Sequence, residues 1–220
     1  MNPELSTYLN MLRVFAARAV FVGHICIWKT NCGAVGRLPW LGGDGVVIFF
    51  VLSGYVVTYT ADTKDKTART FFINRCARIY SVVIPAIMLT LFLEIIGVMY
   101  LPEKYGAVYQ NYQFARLWAY IPIWPTFSSE LWRLNEQILI NGAFLSLCFE
   151  VWFYLALALS LFVRGTVRIV ALLMVILIAG PKICVLFSLW GLGVLVYYAQ
   201  KRISLRPAPA RLLLLLSFAA

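Results

Sequence analysis

Apolar residues in this chain come in long runs separated by short polar stretches, not at the three-and-four spacing of a helix that keeps one face in water. A bilayer core roughly 30 Å thick is crossed by about 20 such residues. The candidate spans are residues 13–30, 42–59, 79–100, 141–163, 166–180 and 183–199. A last run, 212–220, is too short to cross, so the chain reads as about six to seven spans of a larger bundle. The expected fold is all-α, a multi-pass transmembrane helical bundle in a single domain, 1–220, whose C-terminal part is missing. Two interruptions stand out. Pro181 and Lys182 break the pattern after Gly180. Residues 114–127 hold Pro122, Pro125 and Arg116 among Trp118, Tyr120 and Trp124, a mixture suited to an interfacial or re-entrant segment.

Composition agrees with this reading. The chain is 62% hydrophobic with a mean hydropathy of +0.84, whereas soluble domains lie near 45–50% apolar. Its net charge of +10 need not mean nucleic acid, since the basic residues gather in short segments beside the spans. The densest segment, 61–78, carries Lys64, Lys66, Arg69, Arg75 and Arg78 and is expected on the cytoplasmic side. The N-terminus then lies inside as well, and the first span serves as a signal anchor. The 5 cysteines form no CxxC pair and the chain has 1 histidine, so no metal site is expected.

Ionisable side chains inside a membrane are costly unless paired or hydrated, which makes Arg13, Arg18, His24, Glu94 and Glu150 candidates for function. Arg13 and His24 are 11 residues apart, so on a helix they share a face at about 16 Å separation. A single ligand could meet both if it were long, anionic at one end and reactive at the other. Acyl-CoA has that shape.

Several segments then resemble a known family. Leu9-Asn10-Met11-Leu12-Arg13 followed by His24, the run from Gly42-Gly43-Asp44-Gly45 to Ser53-Gly54-Tyr55, the segment from Phe71 through Arg75 to Arg78-Ile79-Tyr80, and Ser146-Leu147-Cys148-Phe149-Glu150 before Val151-Trp152-Phe153-Tyr154 are similar, in this order, to signatures of acyltransferase family 3. These are bacterial membrane O-acyltransferases that modify surface glycans. The chain departs from the family's usual pattern at Asn10, where aspartate is common, at Ser81, where proline is common, and at Arg18, an extra charge. The resemblance implies a domain of about ten helices and transfer of an acyl group, acetyl in the first instance, from acyl-CoA to a carbohydrate or glycolipid hydroxyl. It implies no tightly bound cofactor and a place in the bacterial cytoplasmic membrane. A transporter or channel, a structural subunit and a non-catalytic truncated homologue are the alternatives.

Arg75 and Arg78 lie on one face of the helix entering the third span. With Arg13 they form the expected acyl-CoA site, because the guanidinium fork donates paired hydrogen bonds to phosphate. His24 is the expected general base. Counting depth along the spans brings Glu150 to the level of His24, where its carboxylate could orient the imidazole or stabilise its protonated form. Arg18 and Glu94 fall at other depths and receive no role. Ser53-Gly54 reads as a small step that lets another helix pack closely.

Overall fold

The structure, a computed structural model, describes residues 3–27, 41–101, 123, 125–134 and 144–202, with every side chain in them except those of residues 3, 24–27, 41 and 94. It is an all-α bundle, without strands among the described residues. The helices are α1 (Pro3–Ile27), α2 (Leu41–Thr63), α3 (Ala68–Tyr100), α4 (Phe144–Phe162) and α5 (Gly165–Arg202). All 5 are long and apolar enough to cross a membrane, and their exposed faces carry residues such as Phe21, Met88, Phe92 and Leu173 that belong against lipid. The expected short run 212–220, the aromatic residues Trp118, Tyr120 and Trp124, and the side chains of His24 and Glu94 lie outside the described set.

α1 starts at Pro3, well before the expected residue 13. Proline fits the first turn because its missing N–H has no intrahelical acceptor to lose, and Glu4 beside it suits the positive end of the helix dipole. The earlier start places Arg13 about 15 Å and His24 about 31 Å from the helix origin. α3 starts at a cap, where the Thr67 side chain accepts a hydrogen bond from the N–H of Thr70 at 3.2 Å.

α1 and α2 run antiparallel through small residues. A Cβ at Gly45 would lie 2.9 Å from the Ala16 carbonyl oxygen and 2.8 Å from a Val20 methyl, and one at Gly42 would lie 3.5 Å from Gly23 Cα. Farther along, Leu9 packs with Leu52. α4 lies beside α2 with Phe149 and Phe153 edge-on to Phe50, and it ends where Phe162 meets Phe71 in the first turn of α3. α2, α3 and α4 thus share one end, marked by the basic residues between α2 and α3.

α5 begins at that end, just after Phe162, and finishes at the same end, where Lys201 pairs with Asp62. Its two halves must therefore run in opposite directions. The reversal is at Gly180, whose φ of 81° and ψ of 175° are open to glycine and strained for other residues. The expected break between spans 166–180 and 183–199 is thus present. Pro181 supplies no N–H to the preceding turn, and the segment 125–134 makes up the deficit. The Trp132 backbone N–H donates to the Ala179 carbonyl at 3.2 Å, and the Trp132 indole N–H donates to the Leu177 carbonyl at 3.1 Å. Phe127, stacked on Phe144 at 5.5 Å, fixes the other end of this segment. The returning half of α5 crosses α2 at backbone contact, glycine against glycine: a Cβ at Gly54 would meet the Trp190 carbonyl oxygen at 2.1 Å and one at Gly193 the Val51 carbonyl oxygen at 2.0 Å.

Candidate functional site

Four helices converge on one polar cluster inside the bundle. Arg13 of α1 lies within electrostatic reach of Arg78 on α3 and of Glu150 and Tyr154 on α4. From α2, Ser53 donates a hydrogen bond to Glu150 Oε1 at 2.6 Å, and Tyr154 donates to Glu150 Oε2 at 3.1 Å. Both carboxylate oxygens are thus engaged, and the carboxylate lies within electrostatic reach of Arg13. Arg13 and Arg78 each stand ten residues into their helix, about 15 Å from the basic end. Arg13 Nη2 is buried and has no hydrogen-bond partner among the described residues. A buried guanidinium donor without an acceptor is costly, and an anion entering beside it would relieve that cost.

Arg75 sits one turn before Arg78 but is differently employed. Its Nη2 bonds Asp65 Oδ2 at 3.1 Å and also reaches the Thr60 hydroxyl. Its guanidinium lies over the rings of Phe71 and Tyr154 at 5.5 Å and 5.9 Å. Asn74 donates to the other Asp65 oxygen at 2.6 Å. Both partners of the ion pair are buried, and the arrangement locks the α2–α3 turn against α4. Its Nε alone is buried without a partner.

Glu150 stands beside Ser53, twelve residues into α2, whereas the neighbours of His24 lie against the first turn of α2, since Gly23 packs on Gly42. The structure therefore groups Glu150 with Arg13, about three helical turns from His24 along α1, and not opposite the histidine as depth counting suggested. The miscount arises from α1, which starts ten residues before the expected span and carries His24 correspondingly farther from the basic end. Among the described residues, Asp44 in the first turn of α2 is a carboxylate at the level of the His24 backbone. Sequence reasoning also missed Ser53 and Tyr154 as polar partners. Ser53 read as a packing residue, and only its place opposite Glu150 reveals the bond.

A family model described as an acyltransferase domain matches residues 6–220. The chain belongs to acyltransferase family 3. It is 30% identical over 166 residues to Nodulation protein 10 of Rhizobium leguminosarum bv. viciae, covering 69% of this chain and 43% of that protein. It is 39% identical over 77 residues to Acyltransferase MdmB of Streptomyces mycarofaciens, covering 33% of this chain and 20% of that protein. The chain thus spans less than half the length of the curated relatives it matches. No solved structure matches it. Of the residues that carry the family resemblance, Arg13, Ser53, Arg78, Glu150 and Tyr154 meet in the cluster, whereas Arg75 is held by Asp65 and His24 stands about three turns farther along α1.

Proposed function

We propose that this chain is part of a multi-pass O-acyltransferase of the bacterial cytoplasmic membrane. The enzyme moves an acyl group, acetyl in the first instance, from acyl-CoA to a hydroxyl of a carbohydrate such as a surface polysaccharide or a lipid-linked glycan. The observation that carries this reading is the buried Arg13 Nη2, without a partner among the described residues and within electrostatic reach of Arg78. Two arginines held with a single carboxylate leave a positive charge that suits a phosphate. Membership of an acyltransferase family supports acyl transfer as the reaction.

In this reading acyl-CoA enters from the basic, cytosolic end. Its phosphates rest on Arg13 and Arg78, and Glu150, fixed by Ser53 and Tyr154, lies within electrostatic reach of Arg13. Arg75 supports Arg78 through the locked α2–α3 turn and offers only its Nε to the anion. The pantetheine arm follows α1 for about three turns and brings the thioester to His24. The imidazole takes the proton of the acceptor hydroxyl as that oxygen attacks the thioester carbonyl. The carbon–sulfur bond then breaks, and the leaving CoA thiolate recovers the proton from the imidazolium. Asp44, at about the same level of the bundle, is the residue we assign to orient the imidazole, as carboxylates do in catalytic triads.

The test is transfer of labelled acetyl from acetyl-CoA to a carbohydrate fraction by membranes that hold the full-length protein. Label should enter the carbohydrate with wild type and not with His24→Ala. Equal incorporation with both would contradict the reading.

A further inference from the structure

A second group of buried polar atoms lies away from the Arg13 cluster, where the segment 125–134 crosses between α4 and the turn of α5. Glu130 is fully buried, with Oε2 paired to Lys182 and Oε1 without a partner among the described residues. Ser129 is equally buried, and among the described residues its hydroxyl meets no strong hydrogen-bonding group. Beside it is the thiol of Cys148, a weak hydrogen-bonding group. The same segment holds the two non-glycine residues with positive φ among those described, Phe127 at 52° and Trp132 at 54°. Left-handed backbone at bulky residues and unmet polar atoms in one short segment exceed what capping α5 requires, and strain of this kind gathers at ligand sites.

Trp132 adds a third feature. Both of its N–H groups are committed to α5 carbonyls, so the ring is held in one orientation, yet the residue is 54% exposed. Lys182 is 41% exposed and reaches inward across the Phe149 ring to Glu130, so its head has room to swing away. The depth is also informative. Trp190 lies beside Gly54, and eight residues earlier, about 12 Å farther from the basic end, Lys182 reaches the level of Val46 on α2, close to Asp44.

The chemistry narrows what could bind. Glu130 disfavours an anion, Lys182 disfavours a cation, and an apolar group would leave both oxygens unmet. A ligand with neighbouring hydroxyls and one apolar face satisfies all three demands, and a pyranose ring has that form. We propose that Ser129, Glu130 and Trp132, with Lys182 as a movable cover, form the subsite that holds a sugar ring of the acceptor. One hydroxyl donates to Glu130 Oε1, its neighbour bonds Ser129 Oγ, and the C–H face of the ring lies on the Trp132 indole. This rests on the carbohydrate-acceptor reading above and adds to it the place of binding. Ser129, Glu130 and Trp132 are then positioning residues, remote from the bonds that break.

The experiment uses full-length protein in membranes, labelled acetyl-CoA, and the carbohydrate fraction that wild type acylates as the acceptor. Ser129→Ala, Glu130→Gln and Trp132→Leu should each raise the acceptor KM by about tenfold, the usual effect of losing one strong contact. The acetyl-CoA KM should not change. If Glu130→Gln fails to insert, Ser129→Ala, which removes no charge, decides the matter. Transfer to carbohydrate with an unchanged acceptor KM in Ser129→Ala and Trp132→Leu would overturn the subsite and leave the acyltransferase reading standing. The subsite also falls if Trp132→Leu lowers only the amount of inserted protein, the mark of an interfacial anchor. Wild-type membranes that cleave acetyl-CoA but acylate no carbohydrate would sink the acceptor reading, and the subsite with it.

Discussion

Replacing Gly54 with alanine should damage the bundle more than any other single methyl group added to α2. The new Cβ would lie 2.1 Å from the Trp190 carbonyl oxygen and 3.1 Å from its carbon, so the obstruction is backbone and no rotamer change can relieve it. Restoring an ordinary contact requires α2 and the returning half of α5 to separate by more than about 1 Å, in a crossing lined by the fully buried side chains of Val57 and Trp190. Overpacking of this kind costs about 1–3 kcal/mol, set against at most about 1 kcal/mol gained from alanine's better helix propensity. Gly43→Ala is the control, because nothing lies within 4 Å of its added Cβ. In detergent, thermal unfolding followed by retention of the monodisperse peak should shift down for Gly54→Ala and stay or rise for Gly43→Ala. Gly54 adjoins Ser53, so the shifted helix should also weaken the Ser53–Glu150 bond and the binding of acyl-CoA. Equal thermal stability of the two variants would refute the close crossing of α2 and α5.

Arg75→Ala should destabilise the protein by about 3–5 kcal/mol, because it strands the buried Asp65 carboxylate. Arg75→Met with Asp65→Leu should recover most of that loss in the same unfolding measurement. A double variant that stays folded yet binds no acyl-CoA would show instead that Arg75 holds the donor by more than its Nε. A cysteine at position 66, in a cysteine-free background, should react with a membrane-impermeant reagent only after the cells are opened, as the basic turn between α2 and α3 demands. Labelling of intact cells would invert the orientation and move donor entry to the other side.

Much of the architecture was legible because a bilayer leaves few choices. Apolar runs of sufficient length must become spans, and a glycine followed by proline in such a run must interrupt it, as Gly180 and Pro181 do. The small step at Ser53-Gly54 was equally readable, and it is where α2 and α5 touch. Partners across helices were not legible, since they depend on depth, and depth depends on where each helix begins. The early start of α1 at Pro3 was enough to move Glu150 from His24 to Arg13. Asp65 is one acid in a basic loop, and nothing local marks it as the counter-charge that buries Arg75. Lys182 read as a break in hydrophobicity, although it is half of a buried ion pair with a residue fifty-two positions away.

In the proposed mechanism the donor phosphates and the reacting carbonyl are held about three helical turns apart, the first at Arg13 and the second at His24. The most direct measurement is equilibrium binding of acetyl-CoA to purified full-length protein, set beside acetyl transfer, for Arg13→Gln and His24→Ala. Arg13→Gln should weaken binding about 10- to 100-fold, the loss expected when a charge-assisted hydrogen bond to phosphate is removed. His24→Ala should bind acetyl-CoA as wild type does and lose transfer by at least about 10²-fold. Unchanged binding in Arg13→Gln, or transfer by His24→Ala above about a tenth of the wild-type rate, would contradict it.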